Sequence, residues 1–404
     1  MDTLKQQSGN AKNGSAPTIA FAGGGTGGHL FPGIAVVAEL QELSATPRVL
    51  FMGSEKGVER RILEEAGLEH IALPAKPLNH LRKHPFDFAR NNWKAYRKSR
   101  NILIEQNVQI VVGLGGYASL PALCAARSLK LPTVLLEQNI IPGRANYWLS
   151  RFADLSCVSF SESQSNFPNS ANVRVTGNPV RREITDLCSE VRSDAQDSKP
   201  VLLILGGSQG ASAVNRAVVE CFKNSERSKS FRQVVHQTGL EDVAWVQSSY
   251  QKLGVEAVVE PFISDLTPWY QSAGLVISRA GATTLAELAC AGCPAVLIPY
   301  PYAAKNHQWL NAEIYERAGA AKIVKQEQAG QHTVKNLGQV LQELVTGEQR
   351  RQEMAAAMKT LAVPQAAKNV AAEIMNLVAS PLSIDHRTQI EQPVTEESNL
   401  HEAC

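Results

Sequence analysis

Short apolar runs alternate with segments of helical periodicity through most of the chain. The runs are apolar at successive positions, so each predicted strand is expected to be buried on both faces, as in parallel sheets covered by helices. The predicted strands are Thr18–Ala22, Arg48–Met52, Ile110–Leu114, Thr133–Leu136, Leu155–Ser159, Val201–Leu205, Arg232–His236, Val255–Val259, Leu275–Ile277 and Ala295–Ile298. The pattern therefore predicts an α/β protein.

One polar and charged segment, Thr185–Lys199, divides these runs into two groups. It is predicted to link two domains, which cover residues 17–184 and 200–380. The last helix of the second domain is expected to pack back on the first. Residues 1–16 and 381–404 are polar and lack periodicity, so both are predicted to be loose tails.

An internal repeat supports this division. Alignment of Pro17 with Pro200 places PTIAFAGGGTGG over PVLLILGGSQGA, and each copy reads as a strand, a glycine-rich turn and a helix. A repeat of roughly 180 residues is too long for a solenoid unit. It indicates two doubly wound, Rossmann-like domains, which bind ligands at the carboxyl ends of their strands. Two such domains are predicted to face each other across a cleft.

Composition restricts the class of protein but does not indicate a function. The 404 residues are 44% hydrophobic and 19% charged, which is typical of globular proteins, and the formal charge of +2 names no partner. No apolar run approaches the ~18–20 residues of a membrane-spanning helix. The polar N-terminus lacks the apolar centre of a signal peptide. We expect a cytoplasmic protein that meets a membrane only at its surface.

The seven cysteines fit no disulfide framework, because their number is odd. Cys290 and Cys293 form a C-x-x-C in an alanine-rich helical stretch. A zinc site of this kind needs a second pair, which the chain lacks. Buried structural thiols are favoured, and redox or metal chemistry is the alternative.

The first glycine-rich loop is GGGTGGH, residues 23–29. Glycines let a backbone approach a ligand closely, and the N-terminus of the following helix attracts an anion. A dinucleotide site would need an acid about 20 residues further on, and Glu55 is a poor match. His29 follows the loop and is either a general base or a residue that caps and orients the loop.

Two further elements suit a phosphate and a ribose. In GGSQGA, Ser208 adds a hydroxyl donor beside backbone amides. In SRAGATTLAELACAG, a helix begins after Gly281, and Glu287 lies within its first two turns. A carboxylate there can accept hydrogen bonds from a ribose diol, and the alternative is a residue that only complements the helix dipole.

Three loops carry neutral or cationic candidates. Asn306, His307 and Gln308 offer donors and acceptors that suit sugar hydroxyls. Asn139 follows an apolar strand, and Arg181 adjoins the domain boundary, where it reaches a nucleotide or ties the domains together. No D-x-D occurs, so nothing in the sequence argues for a dedicated metal.

The segment Lys76–Arg100 is basic and aromatic, with eight Lys and Arg against one acid. This composition suits an anionic membrane surface. A solvated helix face and nucleic acid are the alternatives, and we expect no nucleic-acid partner. The predicted membrane contacts are Leu81, Arg82, Lys83, Phe86, Trp93, Arg97 and Lys98.

The ordered set GGGTGGHLFPG, GLGGYAS, EQNIIPG, TGNPVR, GGSQGA, SRAGATTLAEL and NHQ closely resembles the MurG-type transferases of peptidoglycan synthesis. The resemblance runs from about residue 17 to about residue 379, and the two tails fall outside it. It implies a GT-B fold and an inverting transfer without a metal or other cofactor. N-acetylglucosamine would pass from UDP to the C4 hydroxyl of the muramyl sugar of lipid I, giving lipid II and UDP.

The resemblance also implies roles for residues. Ser208 contacts the diphosphate, Ile263 offers its backbone to uracil, Glu287 holds the ribose diol and Gln308 contacts the sugar hydroxyls. His29 is our choice of general base. The other residues implied in binding UDP-N-acetylglucosamine are Thr26, Gly27, Gly28, Asn139, Arg181, Ala282, Thr283, Thr284, Leu285 and Ala286. Of these, Thr26, Gly27 and Gly28 lie at the sugar and acceptor-diphosphate side.

The family implies a peripheral protein on the cytoplasmic face of the inner membrane, with other cell-wall synthesis proteins as further partners. Three alternatives remain. The first is a nicotinamide or flavin dehydrogenase, and the second glycine-rich loop and the NHQ loop argue against it. The others are a non-catalytic sugar-nucleotide-binding scaffold and a transferase of the same fold with another lipid acceptor, such as diacylglycerol.

Overall fold

The computed structural model describes residues 16–55, 57–189, 200–207, 210–223, 230–327 and 330–379. Most of both predicted tails, and residues 190–199 of the predicted linker, lie outside these ranges. The described residues contain two parallel sheets, of seven and six strands.

The first sheet has the strand order β3-β2-β1-β4-β5-β6-β7. Neighbouring strands are all parallel, so the connections cross over through helices. The strands are β1 Thr18–Gly23, β2 Arg48–Gly53, β3 His70–Ala72, β4 Val108–Gly115, β5 Thr133–Glu137, β6 Leu155–Val158 and β7 Val173–Val175. The order reverses between β1 and β4, which is where a doubly wound sheet binds its ligand.

Helices cover both faces of this sheet, because strands apolar on both sides must be buried on both sides. The helices of the first half are α1 Gly27–Gln41, α2 Gly57–Glu65, α3 Leu78–Lys83, α4 Pro85–Glu105, α5 Ser119–Ser128, α6 Arg144–Leu149 and α7 Arg182–Thr185. Helices α4, α5 and α6 share a core on one face, and α1 and α2 pack on the other.

The second sheet repeats the plan, with the order β10-β9-β8-β11-β12-β13 and parallel pairing. Its strands are β8 Val201–Leu205, β9 Gln233–Gln237, β10 Ala257–Glu260, β11 Ala273–Ser278, β12 Ala295–Leu297 and β13 Ala321–Ile323. Its helices are α8 Ser212–Lys223, α9 Val243–Leu253, α10 Thr267–Ser272, α11 Ala282–Ala291, α12 His307–Arg317, α13 Gln331–Thr346 and α14 Glu348–Thr360. The switch point here lies between β8 and β11.

The chain crosses between the sheets twice. Residues 186–188 form a 3-10 turn after α7. The turn and α7 both pack against α11. The final helix, α15 Ala366–Ala379, returns to the first sheet, where Val370 and Ile374 are fully buried against the α1 side. The predicted α/β class with two doubly wound sheets is confirmed.

Candidate active site

The two switch points face each other across the cleft and are joined by hydrogen bonds. The Thr283 hydroxyl, in the first turn of α11, donates to the carbonyl oxygen of Gly28 in α1 at 2.9 Å. The fully buried Asn311 donates to Asn139 Oδ1 at 3.1 Å and accepts from the N–H of Ile140 at 3.1 Å. These contacts bring the predicted residues of both halves into one site.

Backbone conformation explains the glycines of the first loop. Gly23, Gly24 and Gly25 have φ of 118°, 139° and 97°, which side chains rarely tolerate. A Cβ on Gly23 would also lie 2.2 Å from the carbonyl oxygen of Gly115. The loop is therefore packed tightly onto the end of β4, and it turns the chain directly into α1.

A buried carboxylate, Glu59, supports this loop from behind. It accepts hydrogen bonds from the N–H of Ser54, at 2.8 Å, and from the Ser54 hydroxyl. A Cβ on Gly24 would lie 3.0 Å from its Oε2. The acid near the end of β2 is thus occupied within the fold, and Glu55 is exposed. Neither carboxylate is arranged to hold the ribose of a dinucleotide.

His29 lies in the first turn of α1, at the floor of the cleft. Its Nδ1 is hydrogen-bonded to Thr26 Oγ1 at 3.1 Å, and its ring packs over Gly115, where a Cβ would lie 3.0 Å from Cδ2. The ring is partly exposed. Burial, and then the charge of His307 across the cleft, lowers its pKa to about 4. The imidazole is therefore neutral at physiological pH, and one of its ring nitrogens carries no proton.

Glu137, at the carboxyl end of β5, organises the loop that carries Asn139. Its carboxylate accepts from the N–H groups of Asn139 and Gly143, each at 3.0 Å, and from Asn146 Nδ2 at 3.0 Å. Burial raises its pKa, and these donors oppose that effect. Sequence analysis missed Glu137, although an acid ending an apolar strand is an unusual feature that could have identified it.

The N-termini of α1 and α11 both point into the cleft. Each offers backbone N–H groups and the positive end of a helix dipole, a combination that suits an anion. In α11, Ala282, Thr283 and Thr284 begin the helix after Gly281. Leu285 differs, because its side chain is fully buried and its N–H is donated to the carbonyl oxygen of Gly281.

Glu287 is only 6% exposed and has two partners. The Tyr270 hydroxyl donates to its Oε2 at 3.0 Å, and Arg181 lies 3.6 Å from its Oε1. The Arg181 guanidinium also stacks on Phe31 at 4.8 Å from the ring centre. Burial raises the pKa of Glu287, and the charge of Arg181 opposes this. Arg181 thus joins the two halves at the site predicted for the ribose.

Two more predicted residues of the second half are hydrogen-bonded within that half. Gln308, at the start of α12, accepts through Oε1 from the N–H of Tyr300 at 2.9 Å. Ile263 is 8% exposed, and its N–H is donated to Gln237 Oε1 at 2.9 Å. The backbone N–H of Ile263 is therefore already hydrogen-bonded within the protein. Ser208 lies outside the described residues.

Asn311 is another residue that the sequence did not reveal. It lies one turn beyond Gln308 on α12, and its Nδ2 also donates to the carbonyl oxygen of Ala280 at 3.3 Å. The indication available in the sequence was its position three residues after Gln308, because residues three apart on a helix lie on the same face. The structure places both side chains at the cleft edge of α12.

The predicted membrane segment forms α3 and α4. Ala95, Ser99 and Leu103 bury one face of α4, which leaves the basic face outward. Leu81, Phe86 and Trp93 are 42%, 90% and 61% exposed, and Phe86 stands at the start of the helix. The predicted basic contacts are also exposed; they are Arg82, Lys83, Arg97 and Lys98. Lys98 additionally donates to the carbonyl oxygen of Ala72 at 2.7 Å.

Neither a membrane-spanning helix nor a metal-binding cluster occurs among the described residues. None of the helices there combines the length and apolarity that crossing a bilayer requires. No group of three or more His, Cys, Asp or Glu side chains in those ranges is placed to hold a metal ion.

Comparison with known proteins agrees with this geometry. The model of the glycosyltransferase family 28 N-terminal domain matches residues 19–157, and that of the C-terminal domain matches residues 201–370. A UDP-N-acetylglucosamine–N-acetylmuramyl-(pentapeptide) pyrophosphoryl-undecaprenol N-acetylglucosamine transferase of Syntrophotalea carbinolica is 40% identical over 87% of this chain and 96% of its own length. The enzyme of that name from Geobacter sulfurreducens is 37% identical over 88% and 98%.

Solved structures give the same result. The crystal structure of Acinetobacter baumannii MurG superposes with a TM-score of 0.69 at 30% identity, over 89% of this chain and 99% of that one. A UDP-GlcNAc 2-epimerase from Neisseria meningitidis, bound to UDP-GlcNAc, has a TM-score of 0.62 at 17% identity, over 89% and 100%, and shares the fold.

The fold and the cleft define a two-domain glycosyltransferase of the GT-B class, and the predicted hexosyltransferase is confirmed. Within that class, the chain belongs to the family of UDP-N-acetylglucosamine–N-acetylmuramyl-(pentapeptide) pyrophosphoryl-undecaprenol N-acetylglucosamine transferases.

Proposed function

We propose that this protein transfers N-acetylglucosamine from UDP-N-acetylglucosamine to the C4 hydroxyl of the muramyl sugar of lipid I, with inversion, in peptidoglycan synthesis. The observation that carries the proposal is the opposition of two helix N-termini, of α1 and α11, with the neutral His29 beside them. A diphosphate leaving group and a hydroxyl nucleophile need this pairing of an anion site with a base.

The second half holds the donor. The N–H groups of Ala282, Thr283 and Thr284 face the diphosphate at the start of α11. Glu287, already fixed by Arg181 and Tyr270, accepts from the ribose diol. Uracil lies beside Ile263, and Ser208 completes the diphosphate site. Asn139 and Gln308 lie at the sugar end.

The first half activates the acceptor. For His29 to act as the base, the Nδ1–H group donates a hydrogen bond to Thr26 Oγ1. The unprotonated Nε2 then takes the proton of the C4 hydroxyl. The oxygen then attacks the anomeric carbon in line, opposite the departing UDP. Thr26 acts through His29 and is a positioning residue. Gly27 and Gly28 supply backbone around the sugar and the acceptor diphosphate.

Charge on the departing diphosphate is balanced by the protein. Two helix N-termini lie where that charge develops, and fixed dipoles of this kind stabilise it without reorganisation. We therefore propose that the transfer proceeds without a metal or other cofactor. Addition of a chelator would leave the rate unchanged.

Helices α3 and α4 bring the enzyme to its lipid acceptor. Their exposed aromatic and basic side chains suit an anionic surface, and the sheet they cover ends at the acceptor side of the cleft. We therefore place the protein on the cytoplasmic face of the inner membrane, as a peripheral protein. Other proteins of cell-wall synthesis are its expected partners there.

Label transfer tests the proposal. The full-length protein would be given UDP-N-acetylglucosamine labelled in the sugar, with either a lipid I analogue or diacylglycerol as acceptor. We expect label in the lipid I analogue and none in diacylglycerol. Transfer to diacylglycerol alone would indicate another transferase of this fold, and UDP-sugar binding without transfer would indicate a scaffold.

A further inference from the structure

A cavity of about 320 Å³ lies where the two halves of the molecule meet, and both halves contribute to its walls. The first half supplies Asn178 and Val180, from the segment between β7 and α7. The second half supplies Ile314, from α12, and Leu361, the residue after α14. We call this space the interdomain cavity. Its volume is at the lower end of the range of small-molecule sites in proteins.

The interdomain cavity lies on a different face of α11 from the proposed donor residues. Ala282 and Ala286 line the cavity, and residues four apart share one face of a helix. Thr283 and Glu287 lie on the adjacent face, which meets the cleft through the hydrogen bond from Thr283 to Gly28. The cavity is therefore separate from the donor site, although both are built on α11.

Asn178 is a buried polar residue of this cavity that lacks a partner. It is only 6% exposed and lines the cavity wall. Neither its Nδ2 nor its Oδ1 has a hydrogen-bond partner among the described residues. Buried amides are almost always hydrogen-bonded, because an unpaired donor or acceptor has lost water and gained nothing in return. Asn178 thus offers two donors and one acceptor to an occupant.

Close packing holds Asn178 in this position. Gly177 has φ of 83°, and a Cβ there would lie 2.7 Å from Val363 Cγ1 and 3.0 Å from Ala366 Cβ. On the other side, the ring of Pro179 restricts the backbone. The segment is therefore fixed against the connection from α14 to α15, and the amide stays on the cavity wall.

The rest of the lining indicates the kind of ligand. The larger apolar side chains that line the cavity are those of Phe160, Val180, Ile314, Leu361 and Val363. Among the described residues of the wall there is no Lys, Arg or His, and the only carboxylate is that of the exposed Glu162. Such a wall does not compensate an anion for the loss of water. The amide of Asn178 is best matched by an N–H and a C=O on neighbouring atoms.

We propose that the interdomain cavity is a binding site for a small neutral molecule that has an apolar body and a carboxamide or lactam edge. The edge donates its N–H to Asn178 Oδ1 and accepts from Asn178 Nδ2, while the body packs against the apolar walls. An occupant contacts both halves of the protein at once. This site goes beyond the transfer reaction and does not rest on it.

Methyl NMR with benzamide as the probe tests the site. Benzamide is neutral and carries a carboxamide on an apolar ring, and methyl benzoate is the matched probe without an N–H. In full-length protein labelled at Ile and Val methyl groups, we expect saturable benzamide shifts that are largest at Val180, Ile314 and Val363. Methyl benzoate should bind about tenfold more weakly, because one amide hydrogen bond stays unmade. No saturable shift, equal binding of the two probes, or the largest shift at Ile263 in the cleft would overturn the proposal.

Asn178→Leu tests the amide itself. Leucine keeps the branching of asparagine but cannot form hydrogen bonds. Because Asn178 has no partner to lose among the described residues, the variant should unfold at the temperature of the wild type or above it. It should also lose the tenfold preference for benzamide, whereas Asn172→Leu, which changes an exposed asparagine, should keep it. A retained preference in Asn178→Leu, or a markedly lower unfolding temperature, would show that the amide does not serve a ligand.

Discussion

Helices α1 and α11 begin at opposite sides of one cleft, after similar strands and turns, yet they carry different side chains. In α1 the third residue is His29, whose ring contacts Thr26 and lies against Gly115. In α11 the sixth residue is Glu287, which is tied to Arg181 and Tyr270. The same strand–turn–helix unit thus carries the proposed base on one side and, on the other, the carboxylate that is proposed to bind the nucleotide. The backbone sets where a ligand binds, and the side chains set the chemistry.

A second comparison concerns two histidines with lowered pKa values, one in each half. His236 is fully buried, with Tyr250 at 2.8 Å from Nδ1 and Asn215 at 3.0 Å from Nε2, and burial lowers its pKa to about 3. His29 has a similarly lowered pKa, but its ring reaches the cleft. A lowered pKa alone therefore does not identify a base. Access to the cleft distinguishes His29 from the structural His236.

Replacement of the base should have the largest effect. His29→Ala removes the group that takes the acceptor proton, so kcat should fall by about 10²–10⁴-fold, the usual contribution of a general base. The measurement is steady-state turnover with a lipid I analogue. His236→Asn is the comparison variant, because it alters a histidine that does not reach the cleft. Near-normal turnover in His29→Ala would exclude it as the base.

The second-largest expected effect concerns the basic and aromatic surface of α3 and α4, which we propose binds the membrane. Replacement of Arg82, Lys83, Arg97 and Lys98 by Glu should weaken binding to anionic vesicles by roughly 10³-fold or more, at about 1 kcal/mol for each charge lost. Vesicle co-sedimentation at low and high salt measures this. The matched control replaces four exposed lysines elsewhere: Lys130, Lys252, Lys325 and Lys335. Equal binding of both variants would show that α3 and α4 are not the membrane surface.

Loss of the ribose contact should have a smaller effect, confined to the donor. Glu287→Gln weakens a charge-assisted hydrogen bond of about 1.5–3 kcal/mol, so the KM for UDP-N-acetylglucosamine should rise about 10- to 100-fold. The kcat should change little. Glu256→Gln, an exposed acid after α9, is the control. A fall in kcat at unchanged KM would contradict the assignment.

Removal of the hydroxyl that orients His29 should cost less. Thr26→Val deletes one hydrogen bond, worth about 1 kcal/mol, and kcat should fall roughly fivefold. Thr26→Ser keeps the hydroxyl and should restore most of the rate. If the serine variant is as slow as the valine variant, the hydroxyl does not position the imidazole.

The smallest effect concerns pH. Because the pKa of His29 is lowered to about 4, the base stays unprotonated well below the usual 6.5 of histidine. The contribution of His29 to kcat/KM should therefore be level between pH 5 and 7 and should be lost only as the pH falls toward 4. A profile that halves near pH 6.5 in the wild type, and not in His29→Ala, would show an unshifted imidazole.

Sequence alone predicted the central strands and the glycine-rich turns because these carry strong local patterns. It missed β3, β7 and β13, which have three residues each and lie at or near sheet edges. Such strands are partly exposed and show no apolar run, so neighbouring strands determine them. The sequence therefore predicted two parallel sheets but not the full number of strands in each.

The site divides in the same way. His29, Glu287 and the helix N-termini follow from local motifs, and the family resemblance to MurG-type transferases is confirmed. Asn311 and Glu59 were missed because their roles depend on partners far along the chain: Asn139 for Asn311, and the first glycine loop for Glu59. Contacts between distant segments arise only when the sheets are assembled.

The division of labour across the cleft is tested most directly by calorimetric titration of UDP into His29→Ala and Glu287→Gln side by side. The account predicts that His29→Ala binds UDP as tightly as the wild type, although it turns over slowly, whereas Glu287→Gln binds UDP at least tenfold more weakly. Loss of UDP binding in His29→Ala, with wild-type affinity in Glu287→Gln, would contradict it.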